Sequence, residues 1–138
     1  MTAANAAGAP YDSRAMACEA ARAASDKQAD DIMILDVSEL ITITDYFVIC
    51  SGGTERQLDT VAEAVVTRLA GLGVKPVRRE GERGERWLLL DFVDFVVHIL
   101  HTEEREFYRL ENLWRDAPVV EWEHERAAAA ETATEASG

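Results

Sequence analysis

Residues 87–100 carry the stretch WLLLDFVDFVVHIL, which holds more apolar side chains than one face of a sheet needs. The stretch predicts two neighbouring strands, 86–91 and 93–100, joined by a turn that contains aspartate. Alternation places Trp87 and Leu89 on one side of the first strand and its other leucines on the opposite side. Apolar side chains are therefore expected on both faces of the sheet.

Further elements follow on either side of this hairpin. Thr54 and Gln57 have the spacing of a capping box and predict the start of a helix. Ser13 and Thr102 are expected to cap the first and the last helix. The predicted helices begin at residues 13, 54 and 102, and the other predicted strands cover 32–37, 46–50 and 74–79. On one side of the last helix the spacing places Phe107, Leu110 and Trp114.

The order of these elements predicts an α/β fold with a mixed five-stranded sheet flanked by helices. The chain has 138 residues, a length that suits one domain. That domain is expected to span residues 13–116. Residues 1–12 are expected to be disordered, and the Ala/Glu-rich stretch 117–138 largely so, because its only large aromatic side chain is Trp122.

The charge balance excludes one broad class of function. With 26 Asp and Glu against 14 Lys and Arg, the net charge is −12, which opposes indiscriminate binding to nucleic acid. No apolar stretch reaches the roughly 18 residues of a membrane helix, and nothing resembles a signal peptide. The two cysteines, Cys18 and Cys50, are too far apart for a disulfide framework. A cytoplasmic location is expected.

Signals for bound ions or cofactors are weak. The turn Ser51-Gly52-Gly53 lies between a strand and a helix, where backbone N–H groups could hold an anion, although a tight turn is the more common role. His98 and His101 would point to opposite faces of a strand and so form no metal pair. His98 is instead expected to be a half-buried histidine with a satisfied ring. No metal and no cofactor are expected.

The acidic residues that could bind magnesium are Asp45, Asp91 and Asp94. Such a site needs carboxylates that converge beside a phosphate-binding loop. Aspartates in turns more often bond to local backbone groups, and we favour that role for all three. Cys50 lies in an apolar strand, where burial would leave the thiol inert. The residues alone therefore do not favour an enzyme.

Trp87 lies at the start of a strand, beside a charged loop. Exposed Trp and Phe side chains ringed by charge are typical of protein interfaces, where they supply much of the binding energy. A tryptophan in this position can equally cover one end of the core. Composition leaves both roles open.

Three blocks of sequence give the chain a resemblance to a known family. They are residues 44–52 with Gln57 in the next helix, residues 87–100, and residues 105–114. In this order and spacing they resemble the ribosomal silencing factor family, also called the Iojap family. Two departures are small: Phe95 stands where an aliphatic residue is usual, and Thr54 where serine is common.

The resemblance implies a fold, a function and a set of contacts. Its fold is similar to that of nucleotidyltransferases but lacks the catalytic carboxylates, since residues 74–79 contain no Asp-x-Asp pair. The family binds the large ribosomal subunit through the fourteenth large-subunit ribosomal protein. It blocks joining of the small subunit and represses translation when nutrients are short. Trp87 and Phe92 would be central contacts with that protein, and Asp91 would face its basic side chains.

Net acidity fits such a partner, because an acidic protein on a particle rich in RNA should dock on a basic protein patch. The first alternative is a nucleotide-binding enzyme of the nucleotidyltransferase type, and a second is a factor for ribosome assembly. Members of the family can self-associate, so the same hairpin could pair two copies in a homodimer. The expected function is nevertheless that of a non-catalytic translational repressor.

Overall fold

The computed structural model describes residues 12–123, which build one sheet and four helices. The helices are α1 (Ser13–Asp26), α2 (Glu55–Gly71), α3 (Thr102–Tyr108) and α4 (Leu110–Leu113). The strands are β1 (Asp30–Asp36), β2 (Tyr46–Gly52), β3 (Arg78–Glu80), β4 (Trp87–Asp91), β5 (Phe95–His101) and β6 (Val119–Val120). Residues 1–11 and 124–138, which include most of the stretches expected to be disordered, lie outside the described residues.

The sheet is mixed, with the strand order β3-β4-β5-β2-β1-β6. Its central pair, β2 and β5, is parallel, and the other neighbouring pairs are antiparallel. The predicted α/β class is thus confirmed. The predicted hairpin of β4 and β5 is present within this sheet, and Leu89 pairs with His98 across it.

The number of strands is six rather than the predicted five. The additional strand, β6, pairs Val119 and Val120 with β1, and Trp122 is 7% exposed. These residues fall within the stretch 117–138, so the folded unit extends beyond residue 116. A two-residue strand has no periodicity of its own, and its position depends on pairing with an edge that is distant in sequence.

The two faces of the sheet carry separate hydrophobic clusters. The larger one lies between the sheet and the helices α1 and α2, and we call this side the helix-covered face. The smaller cluster lies on the opposite side, the open face. Along β4, Leu88 and Leu90 are fully buried against the helices, whereas Trp87 and Leu89 on the open face are partly buried. The predicted alternation of this strand is confirmed.

Helix caps differ from the expectation at two of three positions. Thr54 caps α2 as predicted, because its hydroxyl accepts from Gln57 N at 3.1 Å. Helix α1 is capped by Asp12 rather than Ser13, because the Asp12 carboxylate accepts from two first-turn N–H groups. Helix α3 is capped by His101, whose Nδ1 accepts from Glu103 N at 3.1 Å. Thr102 is already helical, and its hydroxyl donates to the carbonyl of Gly52.

Two further elements are shorter than the sequence suggests. Strand β3 begins only at Arg78, because Val74 N still bonds to Leu69 O at the end of α2 and Pro76 has no N–H to donate. The last helix is interrupted at Arg109, which has a φ of 48°. The break separates Phe107, which is 79% exposed, from the downstream side chains that pack on the open face. Among residues 12–123, no helix has the length and hydrophobicity required to cross a membrane.

Candidate protein-binding face

The open face is only partly covered by the chain that follows α3. Leu110 and Trp114 pack over the small cluster on this side of the sheet. Toward β4 and β5, the side chains of Trp87, Leu89 and His98 are only partly buried. An accessible area therefore lies beside a covered one on the same face.

Five rings form a continuous row across this face, which we call the aromatic row. Tyr108 lies 5.0 Å from Trp87 between ring centroids, and Trp87 lies 6.0 Å from His98. The row continues from His98 to Phe47 at 5.3 Å and from Phe47 to Trp114 at 5.4 Å. The ring pairs are tilted or edge-on, which are favourable geometries for aromatic contacts. Such a row presents a stiff surface whose apolar rings need little reordering on binding.

Trp87 is fixed within the row by a hydrogen bond as well as by packing. Its Nε1 donates to His98 Nδ1 at 3.2 Å, which assigns the acceptor role to that nitrogen. Burial lowers the pKa of His98 to about 4, so the ring is neutral at pH 7. The expectation of a half-buried histidine with a satisfied ring is confirmed.

Helix α3 carries Tyr108 and is held in place by polar contacts from both sides. Arg86, next to Trp87, forms ion pairs with Glu104 at 2.8 Å and with Glu55 at 3.2 Å. Arg105 is 6% exposed and donates to the carbonyl of Asp31. Its Nε lies 3.3 Å from a carboxylate oxygen of Glu111. These contacts fix the angle at which Tyr108 meets Trp87.

Asp91 lies at the far end of β4 on the same face as Trp87. Four residues of extended chain separate the two positions by about 13 Å. The Asp91 carboxylate accepts from Val93 N at 2.8 Å and lies 3.6 Å from Arg78 Nε. It is partly exposed and therefore combines the expected turn role with an accessible negative charge.

Phe92 does not share this face, contrary to its expected role as a central contact. It is 2% exposed and belongs to the cluster under the helices. Its ring stacks on Phe95 with centroids 4.7 Å apart. Neighbouring residues of an extended strand point to opposite faces, so Phe92 points to the helix-covered face, opposite Asp91. The chain then reverses direction toward β5. In this conformation Phe92 supports the hairpin from behind and offers no surface to a partner.

The other members of the aromatic row were not predicted as a set. Phe47 lies in the first of the three blocks that resemble the family, and Tyr108 and Trp114 lie in the third, with Tyr108 at the end of α3. No local periodicity connects positions 47, 87, 108 and 114. The available signal was the alternation along β2, which sends Phe47 to the face opposite Val48.

Comparison with known proteins places this chain in a family. A family model described as "Ribosomal silencing factor during starvation" matches residues 10–138. A Bacillus subtilis protein named Ribosomal silencing factor RsfS is 39% identical over 102 residues, which cover 74% of this chain and 86% of that protein. The chain belongs to the ribosomal silencing factor family. The resemblance inferred from the three sequence blocks is confirmed.

Two further similar proteins extend the comparison. A crystal structure of a Chromobacterium violaceum protein matches with a TM-score of 0.73 and 31% identity, covering 75% of this chain and 87% of that one. A mouse protein named Mitochondrial assembly of ribosomal large subunit protein 1 is 36% identical over 91 residues, which are 64% of this chain and 40% of that protein. The structural match supports the same mixed sheet.

In this member of the ribosomal silencing factor family, the turn Ser51-Gly52-Gly53 is occupied by the protein's own groups. Gly53 N donates to the side-chain oxygen of Gln57 at 3.0 Å, and the Ser51 hydroxyl donates to Asp30 O at 3.2 Å. A Cβ on Gly52 would meet the Gln57 oxygen at 2.8 Å. The geometry therefore matches a tight turn more closely than an anion cradle. The neighbouring Cys50 is buried, and burial raises its thiol pKa to about 12.

The carboxylates weighed as magnesium ligands lie at the opposite end of the sheet from this turn. Burial raises the pKa of Asp45, with smaller contributions from the charges of Asp94 and Asp36. Asp45 N donates to Asp94 O at 2.9 Å, whereas the Asp91 carboxylate bonds to its own turn. Within residues 12–123, no group of three His, Cys, Asp or Glu side chains is arranged to hold a metal.

Proposed function

We propose that this protein is a non-catalytic repressor of translation that binds the large ribosomal subunit in the cytoplasm and blocks joining of the small subunit. The observation that carries the proposal is the aromatic row, which leaves Trp87 partly exposed on a face that the two long helices do not cover. Its membership of the ribosomal silencing factor family supports the ribosome as the target. A stiff apolar surface bound to the large subunit would block the small subunit sterically, so no covalent bond needs to be made or broken.

The proposed partner on the subunit is the fourteenth large-subunit ribosomal protein. Trp87 would supply the apolar centre of the interface, where buried tryptophan typically contributes most. Asp91 would face a basic side chain of the partner. Phe107 and Tyr108 are 79% and 48% exposed and are in ring contact with each other, so they extend the apolar surface beside Trp87. Phe92 would act only by packing behind the hairpin.

Co-sedimentation with purified large subunits tests this proposal. We expect the wild-type protein to co-sediment and Trp87→Glu to lose about thirtyfold or more in affinity, as expected for an interface hot spot. Leu72→Glu is the matched control, because it adds the same charge at a 48% exposed leucine that follows α2. Equal binding by the wild type and Trp87→Glu would remove Trp87 from the interface. Melting temperatures of both variants would establish whether they are folded.

The joining step needs its own measurement. Light scattering follows the association of small and large subunits directly, and the wild-type protein is expected to slow or reduce it. Trp87→Glu should leave association close to its level without the protein. A protein that binds large subunits but does not alter association would contradict the joining block while retaining the proposed target.

A role in assembly of the large subunit is the second candidate, and the mouse relative's name is the observation that favours it. Sucrose gradients of cells that lack the protein distinguish the two roles. Loss of a joining block leaves mature large subunits and increases joined particles during starvation, whereas loss of an assembly factor accumulates precursors of the large subunit. We expect the first pattern. Calorimetric titration with nucleoside triphosphate and magnesium tests the enzyme alternative, and we expect no heat of binding.

A further inference from the structure

The end of the sheet beyond Asp91 is closed by ordered connections. We call this end the loop rim; it comprises the β1–β2 loop (residues 37–45), the β4–β5 turn (residues 91–94) and Val77. Asp45 N donates to Asp94 O at 2.9 Å and Val77 N donates at 2.8 Å to the carbonyl at the end of β4. These backbone bonds join three separate stretches of the chain. The loop rim is therefore a defined surface.

Aliphatic side chains are concentrated on the loop rim. Ile43 is 82% exposed, Val77 68%, Val93 46% and Leu40 45%, four of the nine large hydrophobic residues that are exposed among residues 12–123. Single exposed aliphatic residues are ordinary on protein surfaces. Several at one end of a sheet, framed by carboxylates, are typical of a surface that contacts another protein.

Val93 is an unusual residue for its backbone position. Its φ is 76°, and Asp94 N donates to Phe92 O at 3.0 Å across it, so the three residues form a γ-turn. A β-branched side chain is disfavoured in this region, which glycine adopts without strain. Because the side chain is 46% exposed, packing in the core contributes little stability to offset this backbone strain. Contact with a partner would account for a valine at this position.

Carboxylates lie beside the aliphatic residues of the β1–β2 loop and the β4–β5 turn, whereas Val77 stands between Lys75 and Arg78 in the sequence. Asp36, Asp45 and Asp94 lie close enough together that their charges add to the effect of burial in raising the pKa of Asp45. Asp91 continues the charge onto the open face, at the opposite end of β4 from Trp87. Thr44, between two rim residues, is 5% exposed, and its hydroxyl has no hydrogen-bond partner among residues 12–123. The loop and the turn of the rim thus combine aliphatic side chains with carboxylates and with one buried hydroxyl that has no hydrogen-bond partner among the described residues.

We propose that the loop rim is a second contact surface, which binds a basic protein segment whose Lys or Arg side chains stand beside apolar ones. It would continue the proposed interface from Trp87 and Asp91 past the end of the sheet. The carboxylates disfavour RNA, and a second copy of this chain would bring the same negative charges together. The large subunit as the target rests on the proposed function, whereas the chemistry of the partner segment is inferred from the loop rim itself.

Two rim variants and one matched control test this contact by co-sedimentation with large subunits. Ile43→Lys places a cation where the partner is basic and should lower affinity about tenfold. Val93→Gly relieves the γ-turn, so it should keep or raise the melting temperature while lowering affinity several-fold. Thr67→Lys adds the same charge on the exposed outer side of α2 and should bind like the wild type. A purely structural role for Val93 predicts that affinity is unchanged.

The outcomes separate this inference from the proposed function. Loss of binding in Trp87→Glu with full binding in both rim variants overturns the rim and keeps the proposed function. The reverse pattern keeps the rim and overturns the role of Trp87. Should the wild type not bind subunits, amide NMR titration with a synthetic 12-residue Lys/Leu peptide decides: shifts concentrated at Ile43, Asp45 and Val93 support the rim. Shifts elsewhere, or none, overturn it.

Discussion

His98 is kept neutral by its place in the aromatic row. Burial lowers the pKa of His98 to about 4 in the folded protein, against 6.5 for an ordinary histidine. Its Nδ1 must stay unprotonated to accept from Trp87 Nε1. A proton on His98 would therefore remove the hydrogen bond and place a charge among apolar rings. Protonation of His98 would therefore disturb one of the contacts that orient Trp87.

This pKa gives the folded protein a definite dependence on pH. Between pH 6.5 and about 4, the unfolded chain binds a proton at His98 that the folded protein does not, so stability from this site is complete above 6.5 and is lost on acidification. His98→Asn keeps an acceptor for Trp87 but cannot titrate. The difference in unfolding free energy between the wild type and this variant should change by about 3 kcal/mol from pH 7 to pH 4. Urea unfolding at both pH values measures it, and a constant difference would contradict a buried neutral His98.

At the scale of elements, local patterns specified the centre of the sheet well. Alternation along β4 predicted which side chains face the helices, and the Thr54 cap correctly marked the start of α2. These features depend on neighbours a few residues away, so the sequence contains the whole signal. The site was only partly predictable. Trp87 and Asp91 lie on the same face, as alternation along β4 implies, whereas the family resemblance placed Phe92 among the contacts although the same alternation directs it to the helix-covered face.

The elements that were missed depend on distant contacts. The break at Arg109 occurs without glycine or proline, because Arg105 is bound on one side to the carbonyl of Asp31 and on the other to Glu111. Strand β6 exists because β1 offers an edge and because Trp122 fills a gap in the cluster under the helices. The contact between Arg105 and Asp31 and the pairing of β6 with β1 join residues 74 or more positions apart, so a window of ten or fifteen residues contains no signature of them.

The role of β6 leads to a test of the element as a whole. Trp122 is 7% exposed and its Nε1 donates to Ile32 O at 3.4 Å. Trp122→Ala should lower the free energy of unfolding by about 3–5 kcal/mol, the usual cost of deleting a buried tryptophan. Val119→Ala, at the 58% exposed residue of the same strand, should change it by less than about 0.5 kcal/mol. Chemical denaturation compares the variants, and similar small effects for both would show that this segment adds little to the fold.

At the scale of the whole molecule, charge determines how the protein can approach a ribosome. A net charge of −12 is repelled by RNA over distances of about a Debye length, which is roughly 10 Å at 0.1 M salt. Attraction between its carboxylates and a basic protein patch acts at the contact itself. Added salt therefore weakens both the long-range repulsion and the contact attraction, and the two effects oppose each other in the measured affinity. A contact made to a basic protein patch, as proposed, reconciles net acidity with ribosome binding.

Salt dependence of binding to large subunits tests this balance. A protein that holds RNA through six to ten phosphate contacts loses about 10³–10⁵ in affinity between 50 and 200 mM salt. This protein should lose less than about tenfold over the same range, because it releases few counterions from RNA and gains from screened repulsion. Asp91→Asn should flatten the remaining dependence further, since it removes a contact charge without altering the apolar face. Co-sedimentation across the salt series measures both slopes. A loss of a hundredfold or more in the wild type would mean that phosphates, not a basic protein patch, hold it on the subunit.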